Sequence, residues 1–121
     1  MKNILIVEDQ VEALKLLGLV LRAEDRKVFL TESGEEALEV ARDTVPDLVL
    51  LDIMLPGGMD GYEVARSLKR DPMTANSAIV VMTAKAQEQD KIDAFEAGAD
   101  DFIRKPYNLV DLKGKVARFL D

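Results

Sequence analysis

The sequence predicts an open α/β fold, a parallel sheet with helices packed on both faces. Two observations carry this. Several short runs are apolar throughout instead of alternating, the pattern of strands buried on both faces. These runs alternate with amphipathic stretches, so that a strand–helix unit repeats five times along the chain.

The first strand is Asn3–Val7 (NILIV). In the helix over Val11–Ala23, Leu14, Leu17 and Leu21 recur at three- and four-residue spacing and form an apolar stripe. Lys27–Thr31 has a weaker strand pattern and belongs nearer a sheet edge. Ser33-Gly34-Glu35-Glu36 opens the second helix as a capping box, its Ser and Glu satisfying free backbone donors reciprocally. Ala37, Leu38 and Ala41 then face the sheet, and Pro46 stops the helix. Leu48–Leu51 (LVLL) is the third strand, Tyr62–Lys69 the third helix and Ala78–Met82 (AIVVM) the fourth strand. A helix over about Glu88–Ala97 ends where Gly98 can cap it. Asp101–Arg104 is a second edge-like strand, and Leu109–Leu120 the last helix.

A length of 121 residues predicts one domain over residues 1–121. A hydrophobic fraction of 48% against 32% charged is enough for one core without disulfides or a structural metal. Met1 reads as a true N-terminus, while the sequence ending with its fifth helix fits a stand-alone chain or a piece of a longer one. The net charge of −7, with no basic run, argues against direct binding to nucleic acid or an anionic membrane. There is no Cys and no apolar stretch near the roughly 18 residues that span a bilayer, and the opening MKNILIVEDQ, a short apolar run followed by two acids, is unlike a secretory signal. A soluble cytoplasmic protein is expected. The absence of His removes Ser–His and Cys–His nucleophile pairs, leaving carboxylates, hydroxyls, lysine and a hard metal ion for any chemistry.

Open parallel sheets bind ligands at the carboxyl ends of their strands. Glu8 and Asp9 follow the first strand, Asp52 the third, Thr83 the fourth and Lys105–Pro106 the fifth. Taken singly, Glu8 and Asp9 also read as a solvated loop or helix cap, and Asp52 as a strand-end cap. Together they are harder to explain structurally. Three carboxylates about 4–6 Å apart repel by roughly 3–4 kcal/mol per pair at an effective dielectric near 20. A hard cation such as Mg²⁺ (or Mn²⁺) removes that repulsion, and Lys105 supplies a second positive charge. The cluster reads as a phosphoryl-transfer site.

Four stretches, ILIVEDQ, PDLVLLDIMLPGGMDGYEV, IVVMTAKA and GADDFIRKPY, resemble in order the receiver domain of bacterial two-component response regulators. The resemblance implies a flavodoxin-like (βα)5 three-layer sandwich with parallel strand order 2-1-3-4-5. It implies that Asp52 is the phosphoacceptor and that Glu8, Asp9, Asp52 and the backbone carbonyl of Met54 hold Mg²⁺. Thr83 and Lys105 would contact phosphoryl oxygens. An isolated Lys105–Pro106 bond would be read as trans, but the resemblance implies cis. The chain would catalyse only its own phosphorylation and dephosphorylation. The donor would be a phosphohistidine on a sensor histidine kinase or histidine phosphotransfer protein, and the receiver would control an unidentified target or output domain.

By the same resemblance, Thr83 and Phe102 form the conformational switch, Phe standing where many members carry Tyr and so lacking a hydroxyl contact. Read alone, Phe102 is equally a core residue. Met54 and Lys85 occupy positions that tune phosphoryl lifetime, and the loop Pro56-Gly57-Gly58 is one glycine longer than the usual pattern. Lys91, Asp101, Asp111 and Lys115 match intersubunit charge pairs of a homodimer, with Lys115 where Arg is usual; solvated surface charge is the plainer reading. Two other chemistries compete. An aspartyl phosphatase would need a second Asp where Met54 stands, and a flavin binder would need hydroxyls where Glu8 and Asp9 stand. A receiver used only as a binding scaffold is the third alternative.

Overall fold

A computed structural model describes residues 1–84 and 87–120. The elements are β1 (Lys2–Val7), α1 (Val11–Leu21), β2 (Arg26–Thr31), α2 (Gly34–Thr44), β3 (Leu48–Asp52), α3 (Gly61–Arg70), β4 (Ala78–Thr83), α4 (Glu88–Glu96), β5 (Asp101–Arg104) and α5 (Leu109–Leu120). Because neighbouring strand residues point to opposite faces, an all-apolar strand must be covered twice. Leu5, Val7, Val49, Leu51, Ile79, Val81 and Phe102 face one way, packing on Ala37 and Ala41 of α2, Val64, Ala65 and Leu68 of α3, and Ala94 of α4. Ile4, Ile6, Leu48, Leu50, Val80, Met82 and Ile103 face the other, against Leu14, Leu17 and Leu21 of α1 and Leu112, Val116 and Leu120 of α5. Each fully buried Leu or Ile contributes about 1.5–3 kcal/mol relative to exposure, so neither helical layer is dispensable.

All strand pairings are parallel and the order is β2-β1-β3-β4-β5. This is the flavodoxin-like arrangement that the resemblance implied. The two weakly patterned strands lie at the edges, as expected of strands with less to bury. Strand ends differ from the sequence reading by one residue in a useful direction: β3 includes Asp52 and β4 includes Thr83. Ladder pairing therefore continues up to the acid and the hydroxyl, and holds their backbones.

Helix ends show three local departures. Ser33 Oγ accepts the Glu36 N–H at 3.2 Å, but Glu36 Oε1 accepts from Glu32 N–H at 2.9 Å and not from Ser33, so the reciprocal bond is shifted one residue upstream. At the other end of α2, Val45 has φ 45°, a left-handed conformation unusual for a β-branched residue. Pro46 requires the helix to end here, since proline disfavours the right-handed helical region in the residue before it, and a left-handed residue is a common helix end. The first helix stops at Leu21, because Arg22 turns extended with ψ 141°. Gly98, at φ 113°, directly follows the cap of α4, where a side chain would be strained. Among the described residues, no helix is long and apolar enough to cross a membrane.

Candidate functional site

Register alone brings the predicted residues together. Val7 pairs with Leu51, so Glu8 emerges beside Asp52. Asp52 pairs with Met82, leaving Thr83 one residue further up. Thr83 pairs with Arg104, and its carbonyl accepts the Lys105 N–H at 2.8 Å. Four strand ends thus converge on one edge of the sheet.

The geometry there is tight. Lys105 Nζ donates to Glu8 Oε1 at 2.9 Å and to Asp52 Oδ2 at 3.1 Å. Asp52 Oδ1 accepts the Met54 N–H at 3.0 Å, so both carboxylate oxygens are held. Glu8 is 0% exposed and Asp52 4%, which places two anions almost wholly out of water. One carboxylate oxygen from each of Glu8, Asp9 and Asp52 lies within 4.8 Å of the others. One ammonium cannot neutralise three acids, and uncompensated buried charge costs several kcal/mol.

That imbalance appears in the titration of the neighbours. Burial pushes the Asp9 carboxyl above its ordinary range, and the Glu8 side chain beside it pushes it further. Burial by itself would lower Lys105, but its bonds to Glu8 and Asp52 outweigh that and raise it, keeping the ammonium charged. The donor set, three carboxylates at a partly open strand edge, fits a hard divalent cation such as Mg²⁺ or Mn²⁺, which takes oxygen ligands. Glu8, Asp9 and Asp52 would hold it. The Met54 backbone is tied to the site through its N–H, while the Met54 side chain is exposed.

Thr83 is buried at the end of β4. The Lys105–Pro106 peptide is cis. Phe102 is 9% exposed, packed into the core shared with α4, and the Lys91 ammonium stands 5.9 Å from its ring centre. Lys115 Nζ meets Asp101 Oδ1 at 3.2 Å and the Phe102 carbonyl at 2.6 Å within the same chain, while Asp111 is exposed in the first turn of α5. Gly57 takes φ 90° and Gly58 does not, so only the first of the paired glycines needs its freedom. Lys85 lies outside the described residues.

Two contributors escaped the sequence reading. Thr31 is buried, donates through Oγ1 to the Ile6 carbonyl at 2.9 Å and accepts the Glu8 N–H at 3.0 Å, fixing where Glu8 leaves the sheet. At Gly61, a Cβ would press into the Asp52 carbonyl oxygen and lie 2.5 Å from Ile53 Cα. Its N–H donates to the Ile53 carbonyl at 2.9 Å, seating α3 on the backbone that presents the acid. A glycine opening a helix was the only signal, and sequence alone does not give the approach.

Residues 4–117 match the family model described as the response regulator receiver domain. The phosphate regulon transcriptional regulatory protein PhoB of Pseudomonas aeruginosa is 40% identical over 119 residues, covering 98% of this chain and 52% of that protein. The chain thus spans about half the length of that relative. A response regulator receiver domain protein (CheY-like) from Methanospirillum hungatei superposes with a TM-score of 0.90 at 30% identity, covering 100% of this chain and 94% of that one. The receiver domain of the sensor histidine kinase PA1611 from Pseudomonas aeruginosa, whose structure has magnesium coordinated in its active-site cleft, gives a TM-score of 0.88 at 28% identity, covering 98% and 97%.

Proposed function

This chain belongs to the response regulator receiver domain family of two-component systems, and from that membership we propose that it accepts a phosphoryl group on Asp52. The observation that carries the reading is one lysine bridging two buried carboxylates, with a third acid beside them. A resting ion pair would need one acid. Three acids on one cation suit a site whose full charge arrives later.

Residues 1–121 are read as the signalling unit. Asp52 is the nucleophile, held by Lys105 and the Met54 N–H so that its carboxylate cannot rotate freely. An oxygen–phosphorus bond forms as the phosphorus–nitrogen bond to a donor imidazole breaks, and the leaving imidazole takes a proton from solvent. Charge on the equatorial oxygens in such a loose transition state is met by Lys105 and the Thr83 hydroxyl. A bound Mg²⁺ or Mn²⁺, held by Glu8, Asp9, Asp52 and the Met54 carbonyl, would offset the anionic approach and polarise the phosphoryl oxygens. Water hydrolyses the acyl phosphate, and no external substrate is turned over. The chain has no His, so the phosphohistidine comes from a sensor histidine kinase or histidine phosphotransfer protein. Thr83 and Phe102 transmit the added charge of about −1.5 to −2 to a target or output domain. Phe102 has no hydroxyl, so core packing and the Lys91 ammonium over its ring hold it.

Incubation with acetyl phosphate and Mg²⁺, followed by intact mass measurement, should show an adduct of about 80 Da, one phosphoryl group. Asp52→Asn should show none. If the wild type stays unmodified, the chain serves as a binding scaffold and not as a phosphoacceptor.

A further inference from the structure

Away from the acidic edge, α1 and the edge strand β2 enclose a groove of about 640 Å³ lined by Gly18, Leu19, Val28 and Leu30, with Lys15, Arg22 and Arg26 around it. Gly18 is what makes it a groove: a Cβ there would sit 3.2 Å from Leu30 Cδ2 and close the floor. Leu19 is 66% exposed and Leu30 44%, large aliphatic surfaces that the fold leaves in water. The charges are equally unspent. None of the ion pairs among the described residues uses Lys15, Arg22 or Arg26. The Arg26 guanidinium only touches the Leu21 carbonyl at 3.4 Å. On a chain of net charge −7, three unpaired cations around one apolar trough form a local reversal of sign.

Spacing says what would fill it. Lys15 and Leu19 stand one turn apart on one face of α1, and Arg22 follows at its C-cap, so the three span about 10 Å along the helix axis. A second helix lying along α1 would present side chains at the same interval, apolar in the middle and charged on the flanks. The geometry points to this groove as the docking site for an amphipathic helix of a partner protein, with an aliphatic face seated on Leu19 and Leu30 and Asp or Glu on its flanks meeting Lys15, Arg22 and Arg26. Hydrophobic area supplies the affinity, and the cations set orientation and exclude basic helices.

The test uses the isotopically labelled chain and a synthetic amphipathic helix with a leucine face and glutamate flanks, followed by amide chemical shifts. Shifts should cluster over residues 15–30. Leu19→Asn and Arg22→Glu, both at exposed positions, should each weaken binding about tenfold, equivalent to about 1.4 kcal/mol. A lysine-flanked version of the peptide should not bind. The proposal is overturned if shifts map to another face or if the two variants bind as the wild type does. It is equally overturned if the same amides move with protein concentration alone, which would assign the groove to a second copy. Movement with anionic phosphatidylglycerol vesicles but not with the peptide would assign it to a membrane surface.

Discussion

At the scale of single residues, the site is dominated by negative charge that one lysine only partly compensates. Asp9 is the least restrained of the three acids, and its carboxyl is pushed up by burial and by Glu8. A raised carboxyl disfavours folding once it ionises, so the penalty is full at neutral pH and fades as pH falls toward the ordinary value of 3.8. Asp9→Asn should therefore raise metal-free stability at pH 7 by about 1 kcal/mol, the repulsion of one like charge at about 4 Å in high dielectric. The gain should shrink in acid. Thermal unfolding with and without MgCl₂ should show the wild type stabilised by the cation and the variant indifferent to it. Equal stabilisation of both would place the metal elsewhere. Much of this cluster was readable in advance, because the residue types and their positions after apolar runs are sequence properties. Thr31 and Gly61 were not, since their roles are a carbonyl aimed at a neighbour and a distance between two backbones.

At the scale of elements, apolar runs announced the strands because both faces of the sheet are buried. What they left open was where each strand stops. Ladder bonding carries β3 and β4 one residue past their apolar runs, a matter of partners and not of composition. Helix ends were less legible still. The shifted capping bond at Glu36 and the left-handed Val45 both follow from neighbouring backbone geometry. Val45 holds a conformation costing a β-branched residue about 1–2 kcal/mol, and it is exposed. Val45→Asn should recover part of that, raising stability by roughly 0.5–1 kcal/mol in urea titrations, with phosphoryl acceptance unchanged. A loss of stability would show that the Val45 side chain contributes more by packing than its backbone costs.

At the scale of the whole molecule, strand order and layering followed from pattern plus family resemblance, whereas the association of copies does not follow from either. The face carrying Lys91, Asp101, Asp111 and Lys115 keeps Lys115 bound to Asp101 within the chain. A homodimer built on these residues must exchange that internal pair for one across the interface. Sedimentation with beryllofluoride and Mg²⁺, mimicking the phosphorylated state, should convert monomer to dimer, and Asp101→Asn should weaken the conversion several-fold. An unchanged monomer would end the dimer reading.

Lys105 lies 97 residues from Glu8 and 53 from Asp52 along the chain. A fragment halted on the ribosome before β5 would carry every acid of the cluster and nothing to quiet it. Under the proposed function, the ammonium that meets the transferred phosphoryl group arrives only with the final strand, so a copy lacking β5 should take up no adduct from acetyl phosphate.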